Sequence, residues 1–467
     1  MAMTSHPNPA SLNSLAARDI ANVLHPYTNL KTHPETGPLV VTGGDGVYVK
    51  DEDGTRYIEA MAGLWCTSLG FNEPRLVDAA VEAMRKLPFY HSFSGKSHPP
   101  AIELAERLIA MAPAPMSKVF FANSGSEAND TAIKLIWYAN NALGRPSKKK
   151  IISRQRGYHG VTIASASLTH LPNNQRDFDL PLERFIATDC PHFYRGALTG
   201  ESEEDFATRL ADNLEKLILA EGPETIAAFF AEPVMGAGGV VVPPKTYYDN
   251  IQPILKKYDI WFVADEVICG FGRTGNMFGC ETFNIKPDMI VLAKALSSAY
   301  LPISALMISE PIFQALVTES EKIGVFGHGF TYGGHPVACS VALRTLEIYE
   351  SDRILDHVRS VGPVLQNGLR ALAQHPLVGE ARGIGLIGAI ELVKDKAGKE
   401  SFPPAAGLGA KAAAACQKHG VILRAMGDTL AFSPPLIISA AQIHDLLARV
   451  ERALDDTHIL AKSAGLV

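Results

Sequence analysis

Short apolar runs recur through the middle of the chain and alternate with longer amphipathic stretches. We predict strands at Lys118–Ala122, Lys150–Ser153, Ile226–Ala231, Ile260–Ala264, Met289–Ala293 and Ile303–Ile308. We predict helices between them, for example at Glu127–Asn141, Glu203–Ala220 and Tyr247–Tyr258. The strands are nearly all apolar, as expected where helices cover both faces of a sheet. The order strand, helix, strand predicts an α/β fold with a mostly parallel sheet.

The two ends of the chain have a different pattern. The segment VYVKDEDGTRYIEA, within the first 75 residues, predicts two short strands around an Asp-Gly turn. Helices and a β segment at Ala389–Val393 follow residue 340. We therefore expect a large central domain at residues 76–339 and a small α+β domain assembled from residues 1–75 and 340–467.

One apolar stretch imitates a membrane-spanning helix. Met289–Ile308 contains twenty residues, and its only charged side chain is Lys294. Pro302 and three serines interrupt the run, and no basic cluster flanks it. We interpret it as two short buried strands around a turn.

Composition excludes several classes of function. The 467 residues are 47% hydrophobic and 20% charged, as in ordinary globular proteins. The 43 basic against 49 acidic side chains give a net charge of -6, which argues against binding to nucleic acid or to an anionic membrane. The six cysteines form no C-x-x-C pair, and the first twenty residues lack the apolar core of a signal peptide. We expect free thiols and a cytoplasmic protein.

Open parallel sheets bind ligands beyond the carboxyl ends of their strands, so the residues there are candidates for a site. The first predicted strand is followed by NSGSEAND, in which Ser124 and Glu127 have capping-box spacing. The N–H groups of Gly125 and Ser126 at this helix start predict an anion site suited to phosphate. An ordinary capped helix is the alternative.

Three other strand ends carry candidate side chains. Asp265 needs a partner to stay ionised, either a structural group or a cationic ring nitrogen. Burial of Lys294 lowers the pKa of its amine, which can then form a Schiff base with an aldehyde; a paired structural lysine is the alternative. Tyr158 and His159, in a loop between glycines, offer a flat face for stacking or pack at the core edge.

Together these groups match the needs of one cofactor. A phosphate site, an aromatic plate, an acid for a ring nitrogen and a Schiff-base lysine are what pyridoxal 5′-phosphate requires. Anionic Asp265 would keep the pyridine nitrogen protonated, so that the ring accepts electrons from the substrate. Their joint occurrence at successive strand ends is more specific than any one of them.

The motifs NSGSEAND, GYHG, AEPV, ADEVICGFGRTG, LAKALSSAYLPISA and GFTYGGHP occur in this order. This order resembles the class III (omega) aminotransferases of the fold-type I pyridoxal-phosphate enzymes. The resemblance runs from about residue 20 to the end, and extends to the amine–pyruvate members. It implies ping-pong transfer of an amino group from an amine or omega-amino acid to a keto acid such as pyruvate. It also implies a homodimer with shared active sites.

The resemblance also implies roles for single residues. Cofactor contacts fall on Gly125, Ser126, Tyr158, His159, Glu232, Asp265, Val267, Lys294 and Thr331. Gly125 and Ser126 would bind the phosphate, Tyr158 and Val267 would pack on opposite ring faces, and Lys294 would be the Schiff-base lysine. Glu232 would support the pocket. Thr331 would reach the phosphate of the neighbouring subunit.

The family resemblance also implies four substrate-binding residues: Trp65, Phe93, Tyr158 and Arg424. Arg424 falls on a mobile arginine that docks a carboxylate and swings away for an uncharged amine. A surface ion pair is the alternative for Arg424, and core packing is the alternative for Trp65. The residues after Phe93 are smaller and more polar than the aromatic pair common in amine–pyruvate enzymes, so the preferred amine stays open.

Two other classes of enzyme remain as alternatives. A mutase, racemase or decarboxylase would use the same framework without a second substrate. A nicotinamide dehydrogenase is suggested by the G-x-G-x-x-G of Gly383, Gly385 and Gly388, although these glycines precede a strand-like segment rather than a helix. We expect no metal site, because the histidine pairs His91 and His98, and His328 and His335, lack further ligands at metal spacing.

Overall fold

The computed structural model describes residues 14–467, which form fifteen strands and seventeen α-helices. The strands are β1 Val41–Asp45, β2 Tyr48–Asp51, β3 Arg56–Glu59, β4 Lys118–Ala122, β5 Lys150–Arg154, β6 Phe185–Thr188, β7 Ile226–Ala231, β8 Trp261–Asp265, β9 Met289–Leu292, β10 Ser304–Ile308, β11 Val378–Ile384, β12 Ile387–Leu392, β13 Val421–Ile422, β14 Arg424–Met426 and β15 Thr429–Phe432. The helices are α1 Leu15–Asn22, α2 His33–Thr36, α3 Ala62–Trp65, α4 Pro74–Lys86, α5 Pro99–Met111, α6 Gly125–Ala142, α7 Ile163–Leu168, α8 Pro172–Gln175, α9 Phe193–Gly196, α10 Glu203–Glu221, α11 Tyr247–Lys257, α12 Gly279–Thr282, α13 Glu310–Ile323, α14 Pro336–Ser351, α15 Ile354–Leu372, α16 Leu408–Lys418 and α17 Ala440–Ser463.

A seven-stranded sheet lies at the centre of the chain, with the strand order β4-β10-β9-β8-β7-β5-β6. Strands β5 to β9 run parallel to their neighbours, whereas β10 is antiparallel to both β9 and β4. All six residues of β7 are buried, because α6 and α10 belong to apolar clusters on its two sides. The predicted α/β class and mostly parallel sheet are confirmed.

The apolar segment Met289–Ile308 forms β9, a 3-10 turn and β10, as its serines and proline predicted. Among residues 14–467, no helix is long and apolar enough to cross a membrane. The prediction about a signal peptide rests on the first twenty residues, of which 1–13 lie outside the described part. Strand β6 was missed by the sequence analysis, because its four residues FIAT are too few to show a period.

The terminal regions build two four-stranded sheets, β1-β2-β3-β13 and β11-β12-β15-β14. The hairpin β2–β3 forms around the Asp-Gly turn, and β13 pairs in parallel with β3, which joins the end of the chain to its beginning. Buried Arg273 donates to the carbonyls of Leu386 and Pro434 at 3.0 and 2.5 Å, which ties the loop after β8 to the C-terminal region. The division at residues 75 and 340 stays a prediction.

The structure removes the dinucleotide interpretation of the G-x-G-x-x-G motif. Gly383 lies in β11 and pairs with Gly388 in β12, and Gly385 lies in the tight turn between these antiparallel strands. Its φ of 57° explains why glycine is used there. A dinucleotide fingerprint has to open a helix after a strand. The dehydrogenase alternative, which rested on this motif, is therefore wrong.

Candidate active site

The carboxyl ends of β5, β7, β8 and β9 meet at one edge of the central sheet, and a cavity of about 140 Å³ lies there. Its walls are Gly125, Ser126, Asn129, Tyr158, His159, Gly160, Glu232, Asp265, Val267, Ile268, Ala293 and Lys294. Eight of the predicted cofactor residues are in this set. The structure therefore brings together every one of them except Thr331.

Asp265 is the last residue of β8 and is only 3% exposed. Its Oδ2 lies 2.8 Å from His159 Nδ1 and accepts from Asn129 Nδ2 at 2.9 Å, while its Oδ1 accepts from the backbone N–H of Val267 at 3.1 Å. Sequence reasoning missed Asn129, which lies one helical turn after Gly125 on the inner face of α6. His159, predicted as part of a stacking face, instead turns a ring nitrogen to the carboxylate. These contacts fix the orientation of Asp265.

Lys294 follows β9 directly and begins a 3-10 turn. Its φ of 48° lies in the left-handed region, which is costly for a residue with a Cβ and is maintained here by the surrounding structure. Burial lowers the pKa of the Lys294 amine, and the negative charge of Asp265 opposes this shift. The site therefore favours a neutral, nucleophilic amine more than solvent would.

Glu232 follows β7 and supports the loop that carries Tyr158. Its carboxylate accepts from the N–H of Tyr158 at 3.0 Å and from that of Gly236 at 2.9 Å. Burial raises the pKa of Glu232 above its usual value. Burial also raises the pKa of Tyr158, and the neighbouring Tyr27 adds to that shift. Tyr158 therefore lines the cavity as a neutral phenol.

The start of α6 forms the wall opposite Val267. Ser124 Oγ accepts from the N–H of Glu127 at 3.2 Å, as predicted, but Glu127 Oε2 accepts from the N–H of Asn123 at 2.7 Å, so the predicted reciprocal bond to Ser124 is wrong. A Cβ added to Gly125 would lie 3.2 Å from a Val267 methyl group. The glycine is needed to keep this wall open.

The residues present fit pyridoxal phosphate. The cavity combines the positive end of an eighteen-residue helix for a phosphate, a fixed carboxylate for a ring nitrogen and an amine for an aldehyde. Two buried polar atoms of the site, Asn129 Oδ1 and His159 Nε2, have no hydrogen-bond partner within residues 14–467. A polar ligand in the cavity is consistent with that incomplete pairing.

Of the predicted substrate residues, Tyr158 lines the cavity and Arg424 lies near it. Arg424 begins β14, and its Cζ lies 5.7 Å from the ring centroid of Tyr27. Its charge opposes the upward pKa shift of Tyr158, so it lies near the cavity. Tyr27 was missed by the sequence analysis, because a lone tyrosine in an irregular segment gives no signal.

Trp65, Phe93 and Thr331 lie outside the residues that line the cavity. Trp65 is 2% exposed and belongs to an apolar cluster with Ile268, which favours its core-packing alternative. Phe93 is 45% exposed and lines a separate cavity of about 800 Å³. Thr331 is exposed in the loop between α13 and α14. Their predicted roles stay predictions.

Comparison with known proteins gives a consistent result. A family model described as "Aminotransferase class-III" matches residues 31–454. The chain is 52% identical over 451 residues to gamma aminobutyrate transaminase 3, chloroplastic, of Solanum lycopersicum, covering 95% of this chain and 87% of that protein. It is 54% identical to gamma-aminobutyrate transaminase 1, mitochondrial, of Oryza sativa subsp. japonica, covering 93% and 84%. The crystal structure of the omega transaminase from Pseudomonas jessenii in complex with PMP superposes with a TM-score of 0.95 at 57% identity, covering 97% of this chain and 99% of that one.

Proposed function

The chain belongs to the class III aminotransferases, which use pyridoxal 5′-phosphate, and we propose that it moves an amino group from an amine or omega-amino acid to pyruvate. Amino-group transfer itself follows from the family. The nature of the donor and acceptor is the proposal. The transaminases named above support an omega-amino donor, since two carry gamma-aminobutyrate in their names and one is called an omega transaminase.

One observation carries the assignment of roles: Lys294 and Asp265 line the same cavity from neighbouring parallel strands. In the register of β8 and β9, Asp265 pairs with Val291, three residues before Lys294. Their opposite charges are close enough for Asp265 to raise the pKa of the lysine. We assign Lys294 as the covalent attachment and proton-transfer residue, and Asp265 as the partner of the ring nitrogen.

When bound, pyridoxal phosphate supplies an aldehyde for the amino group and a ring that accepts electrons. Lys294 Nζ removes the proton from the substrate carbon next to nitrogen and later returns a proton, which requires the neutral amine that burial favours. Asp265, oriented by His159 and Asn129, would hold the ring nitrogen of the cofactor. Gly125 and Ser126, at the start of α6, would hold the phosphate through their N–H groups.

Arg424 is assigned to the carboxylate of the keto acid or amino acid. A guanidinium binds a carboxylate through two parallel hydrogen bonds. In the structure no acidic side chain forms a salt bridge with Arg424 within residues 14–467, and its guanidinium instead lies over the ring of Tyr27. The surface ion-pair alternative therefore finds no support in the described contacts, and the side chain is available for a substrate.

A substrate panel tests the proposal. Purified holoenzyme is given gamma-aminobutyrate, beta-alanine or an uncharged arylalkylamine as donor, each with pyruvate or 2-oxoglutarate as acceptor. We expect stoichiometric alanine from pyruvate with at least one omega-amino donor. Faster turnover with 2-oxoglutarate for every donor would overturn pyruvate as acceptor. Consumption of the donor without any keto acid would instead indicate a mutase, racemase or decarboxylase.

We further propose a homodimer in which Thr331 completes the partner's phosphate site. The proposal is supported by the exposure of Thr331 and by its absence from the residues that line the Lys294 cavity. Light scattering measures the assembly. Mixing inactive Lys294→Ala and Thr331→Ala chains tests sharing, because only a mixed dimer restores one intact site.

We propose a cytoplasmic location. All six cysteines are free thiols in the structure, and four of them are buried, which suits a reducing compartment. The names of the two plant relatives contain chloroplastic and mitochondrial, so the proposed compartment of this chain differs from theirs. Fractionation of the native host with antibody detection would decide it, and recovery in an organelle or the periplasm would contradict the proposal.

A further inference from the structure

Three potential metal ligands, none of them among the residues that line the Lys294 cavity, meet in the N-terminal segment. They are Asp19 in α1, His25 in the following loop and His33, the first residue of α2. His25 Nε2 lies 2.6 Å from Asp19 Oδ2, and His33 Nε2 lies 3.6 Å from the same oxygen. The two imidazole rings are tilted against each other with centroids 4.4 Å apart. Their ligand atoms thus point to a common centre.

His33 supplies a second, independent observation. Its side chain is 10% exposed, and its Nε2 is buried without a hydrogen-bond partner within residues 14–467. The 3.6 Å separation from Asp19 is too long for a hydrogen bond. Buried polar atoms are normally paired, so an unpaired nitrogen directed at a carboxylate and a second imidazole calls for a ligand.

We propose that Asp19, His25 and His33 bind a divalent transition-metal ion of the zinc class. Two imidazole nitrogens and one carboxylate oxygen are a common zinc ligand set, with the fourth tetrahedral position left for water. Metal–ligand bonds of about 2.0–2.1 Å place tetrahedral ligand atoms roughly 3.4 Å apart. The distance between His33 and Asp19 already fits. When the metal binds, it replaces the proton shared by His25 Nε2 and Asp19 Oδ2, and this proton passes to solvent. The distance between these two atoms then increases by less than about 1 Å.

A second cluster of three potential ligands, one histidine and two glutamates, serves as a contrast. His192, Glu380 and Glu391 also converge, but Arg382 forms ion pairs with both carboxylates and Arg195 with Glu391. Two guanidinium groups thus already supply the positive charge that a metal would bring. No salt bridge from lysine or arginine reaches Asp19 among the described residues, and only histidines contact it.

The position of the cluster suggests what a metal would do. Tyr27 lies between His25 and His33 in sequence, accepts from Asn174 Nδ2 at 2.5 Å and lies beside Arg424. A metal held by residues on both sides of Tyr27 would fix this segment next to Arg424. The sequence analysis expected no metal site, because it considered only the pairs His91 and His98, and His328 and His335. It did not consider Asp19, His25 and His33, whose spacings of six and eight residues match no familiar metal motif.

The test uses tag-free holoenzyme that has been dialysed against a chelator and then against metal-free buffer. Calorimetric titration with Zn²⁺ should show one equivalent of tight binding per chain, and Co²⁺ should give the intense visible bands of a tetrahedral complex. His25→Ala and His33→Ala should each weaken Zn²⁺ binding by more than about tenfold. His444→Ala, which removes an exposed histidine of α17, is the matched control and should bind as wild type.

Each possible outcome decides the proposal. Absence of stoichiometric Zn²⁺ binding by the wild type would overturn it, and so would equal affinity in the His25 and His33 variants. Circular dichroism and the visible absorbance of the bound cofactor verify that the variants are folded. If they fail to fold, mapping of diethylpyrocarbonate modification on the wild type decides: Zn²⁺ should protect the partly exposed His25 and leave His444 reactive, and equal modification of His25 with and without Zn²⁺ would overturn the proposal.

Discussion

The wall of the Lys294 cavity and the outer pair, Tyr27 and Arg424, are built in different ways. The cavity side chains come from consecutive strand ends of one sheet, and both Asp265 and Glu232 are buried and held by at least two hydrogen bonds. The outer pair comes from opposite ends of the chain. Tyr27 is 64% exposed, and Arg424 lies over its ring without a salt bridge among the described residues.

This difference indicates that the cavity side chains serve the chemistry, whereas Tyr27 and Arg424 serve the choice of substrate. Moving a cavity side chain means breaking buried hydrogen bonds, which costs about 1–3 kcal/mol for each group left unpaired. Moving the outer pair breaks an exposed cation–π contact of about 0.5–1 kcal/mol and the exposed hydrogen bond from Asn174 to Tyr27, whose groups water can then solvate. We therefore expect cavity variants to lose turnover with every substrate, and outer variants to change which substrates are used.

The largest effect is expected for Lys294→Ala. Removing the amine eliminates both the covalent attachment and the proton transfer, so turnover should fall by at least about 10³-fold with all substrates. Steady-state transamination measures the loss, and the visible absorbance of the attached cofactor should disappear. Lys286→Ala, on the exposed surface close by in sequence, should keep both. Full activity of Lys294→Ala would disprove its assignment.

Asp265→Asn should have the next largest effect. The amide keeps the size of the side chain and can still contact His159, but it lacks the charge that stabilises a cationic ring nitrogen. Turnover should fall by about 10²–10³-fold, in the range found when one stabilising electrostatic group is removed from an active site. The loss should be the same for charged and uncharged donors. Asp249→Asn, at an exposed position of α11, is the control and should be fully active.

The same division marks how far the sequence could predict the structure. Six predicted strands match β4, β5, β7, β8, β9 and β10 to within one residue at each end, because apolar runs bounded by polar residues mark the strands of a sheet covered by helices. Once those strands are aligned, their carboxyl ends must meet. This is why Asp265, Lys294 and Tyr158 could be placed together from the strand pattern, whereas Glu232 was assigned through the family resemblance.

The other parts of the site could not be predicted, because they depend on contacts between residues that show no local sequence pattern. Asn129 reaches Asp265 only because α6 packs across the sheet, and Tyr27 reaches Arg424 across nearly four hundred residues of sequence. The metal ligands Asp19, His25 and His33 converge through a turn that no periodicity predicts. Trp65, which the resemblance assigned to the substrate, packs in an apolar cluster, and its substrate role stays a prediction.

Arg424→Ala tests the outer pair and should act selectively. Loss of a charged hydrogen-bonding group costs about 1.5–3 kcal/mol, which corresponds to a rise of roughly 10- to 100-fold in the KM for a keto acid. The KM for an uncharged amine should change little, because that substrate has no carboxylate to bind. Arg452→Ala, an exposed arginine of α17, is the matched control. Equal losses for both substrate types would place Arg424 with the cavity residues and remove the distinction drawn here.

The smallest effect concerns the proton on Lys294 itself. Burial lowers the pKa of this amine and Asp265 partly restores it, so in cofactor-free protein Lys294 should lose its proton, and react with an acylating reagent, at a lower pH than exposed Lys286. Mass spectrometry of peptides labelled across a pH series measures both lysines in the same sample.

In Asp265→Asn the opposing charge is absent, and the Lys294 profile should move to still lower pH while that of Lys286 stays in place. Arg424→Ala removes a positive charge that lowers the same pKa, so the Lys294 profile should move to higher pH. This shift should be the smaller one, because Asp265 affects the pKa of Lys294 more than Arg424 does. Coincident profiles for the two lysines in the wild type would mean that the cavity does not activate its amine, and that the chemistry attributed to the buried site depends on the bound cofactor alone.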